Sequence, residues 1–455
     1  MKPITQLWLG ASIALLWSLA ACKKQEDVTP TTGTSTSTVT TPSTTTADVR
    51  DSLYIYMKDI YLWYDKLPTV FNPRSFKTVE DEMDSLRAYQ PLDRWSFVES
   101  ASSFNSYMED GQEEEFGFWI KSDANGDYRV RYVYANSPAG KAGIQRGWKL
   151  TTLNGTSVSK LSTDAIIDAF WGSNTTGAFG FQKVDGSTVS PISLTKTTYT
   201  MNTVLYTTTY EVGTKKVGYF VLNTFTGSPT QKELKQVFSQ FESAGISELI
   251  VDLRYNGGGS VNTEEYLANR IVPPSASGKT MYKVYHNDKY SKFNQSVNFI
   301  KSGSLNLSRV FVITTAATAS ASELLINVLK PYMTVYTIGK TTHGKPVGMY
   351  GFDVMNYTFA PVAFRTVNAQ NVGDYYSGLP VNADVNDGLT SVWGDTQESC
   401  LASALRYIQT GTFSMMTQGA RLSAEQEQTN QYLDKPIVQN LVIKPSEAIK
   451  SIHQP

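Results

Sequence analysis

Histidine is scarce in this 455-residue chain: only His286, His343 and His453 are present. A metal centre or proton relay built on several histidines has little to draw on. No group of His, Cys and acidic residues has metal-ligand spacing, so no metal and no cofactor is expected. Cysteine is scarcer still, with Cys22 and Cys400 alone. A disulfide between them would tether the N-terminal segment to the far end of the chain, and a single processing site explains Cys22 better. Excess charge of either sign is missing too, 40 basic residues standing against 41 acidic ones for a net charge of −1. That balance argues against a nucleic-acid partner. What is present is a composition 41% hydrophobic and 18% charged, enough for a sizeable core and for two to four domains.

The N-terminus carries Lys2 and then an apolar run over residues 4–21. Its core is short for a membrane-spanning helix and has the layout of a secretory signal. It ends in Leu19-Ala20-Ala21-Cys22, which resembles a bacterial lipobox. The resemblance implies a signal peptide and lipobox over 1–22, lipidation of Cys22 and a membrane partner reached through that lipid. It places the protein in the cell envelope, and Lys23 is compatible with outer-membrane sorting. The plainer alternative is an ordinary signal or short anchor helix with Cys22 incidental. Cys400 is then an unpaired cysteine, expected to be buried. Residues 23–47 are read as a tether, because VTPTTGTSTSTVTTPSTTTA over 28–47 has almost no apolar bulk to fold around.

From residue 48 to 112 the pattern turns helical, with Leu53, Tyr56, Met57, Ile60, Tyr61 and Tyr64 at three-and-four spacing. A small helical N-terminal domain is expected there. Residues 113–198 carry short strand signals and turns with one amphipathic helix near 164–170. Their order resembles a PDZ domain. The resemblance places Phe116, Gly117, Phe118 and Trp119 at the carboxylate-binding loop and first peptide-binding strand, where loop N–H groups capture a C-terminal carboxylate and the peptide extends the sheet edge. A β-rich spacer that binds nothing is the alternative. Residues 199–410 alternate strands (217–222, 248–253, 310–314, 334–338) with helices, the mark of an α/β core. Residues 411–455 are left as a C-terminal extension.

Three segments of that core carry candidate chemistry. Asp252-Leu253-Arg254-Tyr255-Asn256-Gly257-Gly258-Gly259 follows an apolar strand, and its glycines let backbone N–H groups approach an anionic oxygen. A phosphate loop would do the same, but its Lys-Ser/Thr ending is absent. Ala319-Ser320-Ala321-Ser322-Glu323 falls on a strand-to-helix turn, where a serine hydroxyl is exposed beside helix N–H groups. Ser320 and Glu323 also spell a capping box, which needs no catalysis. Thr341-Thr342-His343-Gly344-Lys345-Pro346 follows a third strand, and a lysine desolvated near a serine can act as general base.

In order and spacing these segments resemble the C-terminal processing peptidases, tail-specific serine proteases of peptidase family S41, over roughly 48–400. The resemblance implies a ClpP/crotonase-like α/β protease core with a PDZ-like domain and a helical N-terminal domain. It implies Ser320 as nucleophile, Lys345 as base, Glu323 as a third site member, and the N–H groups of Ala321 and Gly258 as the oxyanion hole. The implied partners are polypeptide substrates with accessible C-terminal tails. Many members carry a glutamine four residues after the lysine, where this chain has Met349. The rival base is His343, and the rival function is a catalytically silent envelope protein that holds polypeptides with its PDZ-like domain.

Overall fold

The computed structural model describes residues 48–413, 423–438 and 442–443. Cys22, the signal segment and the tether lie outside the described residues.

The centre of the fold is a six-stranded sheet in the order Val204–Val212, Lys215–Leu222, Glu248–Asp252, Arg309–Thr314, Thr334–Gly339, Ala383–Asp384. The first pair is an antiparallel hairpin and every later pair is parallel. Both faces are covered, as parallel strands require. Alternate residues of Lys215–Leu222 divide between two clusters. Phe220 and Leu222 join helices Ser228–Ala244, Val261–Ile271 and Ala321–Leu329, while Val217, Tyr219 and Val221 join helix Ser399–Thr410. The α/β expectation for the core holds.

Three neighbouring parallel strands end side by side, with Asp252 opposite Ile313 and Thr314 opposite Gly339. The glycine turn, the Ser320 turn and the Lys345 loop leave from those ends. Segments about 60 and 90 residues apart in the chain therefore meet at one edge, the usual place for a site in such sheets.

A second sheet runs Gln295–Asn298, Thr280–His286, Val362–Asn368, Val347–Tyr350, Val442–Ile443. The strand Val347–Tyr350 starts two residues after Lys345. The N-terminal helix Val49–Ile60 is capped by Asp48 and buries Leu53, Met57 and Ile60, so the helical period is an inward-facing stripe. Its cluster includes Val347, Met349 and Val362, and Leu62 N–H donates to Val362 O at 2.8 Å. Residues 48–112 therefore form a cover on the lysine strand rather than a free-standing bundle. They also hold a strand, Phe97–Ser100, paired with Tyr357–Ala360.

Residues 113–198 form a β-rich unit. Its antiparallel sheet runs Phe118–Ser122, Tyr128–Val133, Lys149–Leu153, Thr176–Gln182, Thr188–Thr195, with Phe118–Ser122 at one edge. Helix Thr163–Trp171 packs Ile166 and Phe170 against Phe116, Phe118 and Phe179. Gly117 has φ +84°, and a Cβ there would fall 1.9 Å from Ser137 Cβ, so no other residue fits that approach. The pair Gln112–Glu115 and Thr197–Thr200 closes the unit at its stem.

Asp252 and Arg254 hold the glycine turn to the core. Arg254 is fully buried and contacts Asp252 at 2.6 Å, Glu398 at 2.8 Å and Asp387 at 3.0 Å. Thr318 Oγ1 donates to Leu253 O at 2.7 Å and Thr315 Oγ1 donates to Arg254 O, which ties this turn to the serine turn. Removing one member of a buried ion network strands the others without compensation. Arg254→Ala is expected to cost about 3–5 kcal/mol, read as a lower urea midpoint at unchanged slope.

Candidate active site

Ser320 stands at the head of helix Ala321–Leu329 with φ +67° and ψ −114°, a conformation that side chains other than glycine rarely adopt. It has the position of a capping-box residue, but only the carboxylate half of that box is a hydrogen bond: Ser320 N–H donates to Glu323 Oε2 at 2.8 Å. The Ser320 hydroxyl is buried and, among the described residues, has no hydrogen-bond partner. A plain cap would use that oxygen.

Glu323 is fully buried and accepts from both sides of the site. Ser320 N–H donates to it from the serine turn. From the lysine loop come Gly344 N–H at 2.6 Å, Lys345 N–H at 2.8 Å and the Thr342 hydroxyl. Burial pushes its pKa above the ordinary carboxylate value, against the pull of those four hydrogen bonds. It meets Lys345 through the backbone. The Lys345 ammonium position is buried, and among the described residues Nζ has neither a hydrogen bond nor an ion pair. Desolvation brings its pKa down to about 7, while the nearby charges of Asp93 and Glu323 oppose the fall. A lysine near pH 7 in this state is substantially neutral and can accept a proton.

Gly258 lies against the serine. A Cβ built on it would sit 2.9 Å from Ser320 Cβ and 3.1 Å from Ala321 N, and its φ is +111°. Its N–H, expected as an oxyanion donor, is engaged in this conformation by Asn256 Oδ1 at 2.9 Å. Ala321 is the first helical residue, where backbone N–H groups have no intrahelical acceptor. Ser320, Ala321, Glu323, Lys345 and Gly258 are thus brought together. Phe116, Gly117, Phe118 and Trp119 belong to the β-rich unit, but Trp119 stacks on Tyr132 at 5.0 Å, and both join a cluster that reaches Tyr255 of the glycine turn. A cavity of about 580 Å³ is lined by Glu113, Trp119, Tyr134, Trp171, Asn223 and Gly257, so it opens beside that turn.

His343 is engaged elsewhere. Its Nε2 accepts from Trp95 Nε1 at 3.2 Å, and burial holds its pKa down to about 4. Met349 is packed in the apolar cluster under the N-terminal helix. The sequence reading missed Asp93, Thr342 and Asn256. Thr342 is a hydroxyl three residues before the lysine and was legible as a neighbour. Asp93 lies some 250 residues upstream and carries no local signal.

The strand ends, the glycine and serine turns and the buried lysine meet at one edge of a mixed α/β fold. Sequence profiles of peptidase family S41 and of the peptidase S41 N-terminal domain match residues 216–385 and 48–97. The chain is 28% identical over 226 residues to a chloroplastic C-terminal processing peptidase of Tetradesmus obliquus, covering 46% of each chain. It is 24% identical over 256 residues to a protein of Staphylococcus saprophyticus described as a CtpA-like serine protease, covering 56% of this chain and 50% of that one. The matched region thus spans about half the length of these curated relatives. A solved structure from Bacteroides fragilis assigned to the S41 proteases superposes with a TM-score of 0.66 at 26% identity, over 81% of this chain and 99% of the other. The comparisons thus place residues 216–385 with peptidase family S41 and residues 48–97 with the N-terminal domain of that family.

The strain at Ser320 gives a test independent of catalysis. Alanine ordinarily exceeds glycine in stability by roughly 0.5–1 kcal/mol inside a helix. At φ +67° the order should invert, with Ser320→Gly more stable than Ser320→Ala by about 1 kcal/mol in urea unfolding. Gly258→Ala should lose activity and about 1–3 kcal/mol of stability, since both its φ and its contact with Ser320 forbid a Cβ.

Proposed function

We propose that this chain is a serine endopeptidase that trims exported polypeptides from accessible C-terminal tails through a Ser320–Lys345 dyad. The observation that carries the proposal is a pair of buried polar groups without hydrogen-bond partners among the described residues, the Ser320 hydroxyl and the Lys345 amine, on two loops joined by one carboxylate. Lys345 Nζ takes the Ser320 proton as Oγ bonds to the scissile carbonyl carbon. Ala321 N–H stabilises the resulting oxyanion, joined by Gly258 N–H when it exchanges Asn256 Oδ1 for substrate. Collapse breaks the C–N bond, and the lysine returns the proton to the leaving amine. Water then cleaves the acyl-enzyme by the same proton path. With Met349 in the place of a glutamine, Glu323 positions Lys345 by its backbone without an ion pair to the amine, so burial outweighs the pull of the carboxylate on the proton.

The β-rich unit is read as PDZ-like and the core as ClpP/crotonase-like. The unit is the recognition module for tails, with its edge strand Phe118–Ser122 directed at extended peptide. Export and lipid anchoring through Cys22 in the cell envelope complete the reading. Cys22→Ser should then shift the protein from the membrane fraction to the soluble one or impair its export. An unchanged membrane fraction would remove the anchor from the proposal.

The base has a pH signature. The active form is the neutral amine, so kcat/KM on an unfolded protein should rise about tenfold per pH unit below about 7 and level off above it. His343, with its pKa near 4, should contribute no limb between pH 6 and 8. Ser320→Ala, Lys345→Ala and Lys345→Arg should each abolish digestion, the arginine because it keeps its charge at any usable pH. His343→Ala should retain most activity. Loss in His343→Ala with survival of Lys345→Arg would overturn the dyad.

A further inference from the structure

The edge strand Phe118–Ser122 is not open to solvent along its length. Helix Ala424–Val438, from the C-terminal extension, lies against it. The contact is unusual in kind. Ser122 N–H donates to Asn430 Oδ1 at 2.8 Å, and Asn430 Nδ2 donates to Ser122 O at 3.0 Å. One side-chain amide thus supplies the acceptor and the donor that a neighbouring strand would supply from its peptide groups. Gln426 Nε2 adds a bond to Ala124 O at 3.3 Å.

The remaining contacts have the character of a seated peptide. Leu433 is fully buried in the same cluster as Phe118, Ile120, Ile166 and Phe170, between the edge strand and the helix of the β-rich unit. Arg131, on the adjacent strand and fully buried, is paired with the Asp434 carboxylate and donates to Leu433 O at 3.2 Å. One apolar side chain, one carboxylate and one mimic of a peptide group are what an extended tail would offer the same surface. The helix that offers them has little hold of its own. Its sequence over 424–438 is mostly polar, and Pro436 removes a helix N–H.

The occupied edge also approaches the glycine turn, with Lys121 Nζ 5.8 Å from the ring centre of Tyr255. The Arg131 guanidinium lies 5.5 Å from the ring centre of Tyr255, whose chain continues into Asn256, Gly257 and Gly258. Beyond the helix, Val442–Ile443 adds a parallel strand to Val347–Tyr350, with Met349 opposite Val442. The extension therefore covers two exposed edges, one on the β-rich unit and one on the strand that follows Lys345.

We propose that helix Ala424–Val438 is a tethered pseudo-ligand that fills the polypeptide-docking edge of the β-rich unit, and that a polypeptide tail must displace it to bind. The tail that competes best would place an apolar side chain in the Leu433 site and an acidic group or terminal carboxylate on Arg131. The inference deepens the tail-recognition part of the proposed function and rests on that reading. Its occupant, a segment of this same chain, is fixed by the contacts above.

The test uses the full chain carrying Ser320→Ala, so that nothing is cut, with and without Asn430→Ala and Asp434→Ala together. The probe is a fluorescein-labelled peptide of residues 423–443, read by anisotropy, beside hydrogen exchange of the Ser122 amide. The double variant should bind the probe at least about tenfold more tightly than its parent, and the Ser122 amide should exchange at least about tenfold faster. Equal probe binding and unchanged Ser122 protection would overturn the proposal. If the double variant does not fold, Asp434→Asn alone, which keeps the shape and removes the charge facing Arg131, gives the same readings on a milder scale. With Ser320 restored, the double variant should digest an unfolded protein several-fold faster while hydrolysing a small activated ester at the parental rate. A fall in both rates would make the helix a structural support and overturn the proposal. The binding and exchange readings need no peptide hydrolysis, so they can fail while the dyad stands, or stand while the dyad fails.

Discussion

One carboxylate holds the candidate site together. Glu323 gathers Ser320 N–H on one side and Gly344 N–H, Lys345 N–H and the Thr342 hydroxyl on the other. These donors come from two loops that leave two adjacent strands. Without the carboxylate, three backbone N–H groups would be buried with no acceptor, a cost of about 1–3 kcal/mol each. The same carboxylate bonds to the lysine only through its backbone. Its charge favours the proton on the amine, and burial of the amine outweighs that pull.

The rest of the molecule serves that arrangement at increasing range. Arg254 and its three carboxylates lock the glycine turn to the core. The N-terminal helices roof the lysine strand and bring Asp93 and Trp95 to the lysine loop, where Trp95 takes up the one nearby histidine. The aromatic cluster of Trp119, Tyr132, Tyr134 and Tyr255 joins the β-rich unit to the glycine turn, so the unit is packed onto the candidate site by rings. Such packing transmits displacement because a close-packed interior has little slack.

The sequence was most legible where chemistry needs particular residues at particular spacings. Ser320, Lys345, Glu323 and the triple glycine could be read as one constellation through their resemblance to the C-terminal processing peptidases, and the structure brings their segments to neighbouring strand ends. The parallel strands themselves were readable as continuous apolar runs. Legibility failed where structure depends on partners far along the chain. The second sheet went unread because Val347–Tyr350 is buried throughout and shows no alternation. The helical reading of the N-terminal region holds at Val49–Ile60, but an inward stripe does not reveal what it packs against, here Val347 and Val362. The engagement of Gly258 N–H by Asn256 has no sequence signal, since an asparagine two residues before a glycine fits a turn as well as a clamp. The helix 424–438 lacks an apolar period because its contacts are made largely by polar atoms.

The burial of Lys345 has a consequence for the life of the chain before it folds. In an extended polypeptide this lysine is solvated and charged like any other, and Ser320 is one hydroxyl among many. The amine sheds its charge near neutral pH only once it is buried, and the strand that follows it is roofed by residues some 290 positions upstream, as when Met57 packs into one cluster with Val347. An unfolded chain therefore carries every atom of the candidate site without its buried, uncharged amine. That state of the lysine arrives with long-range contacts rather than with the synthesis of the motif.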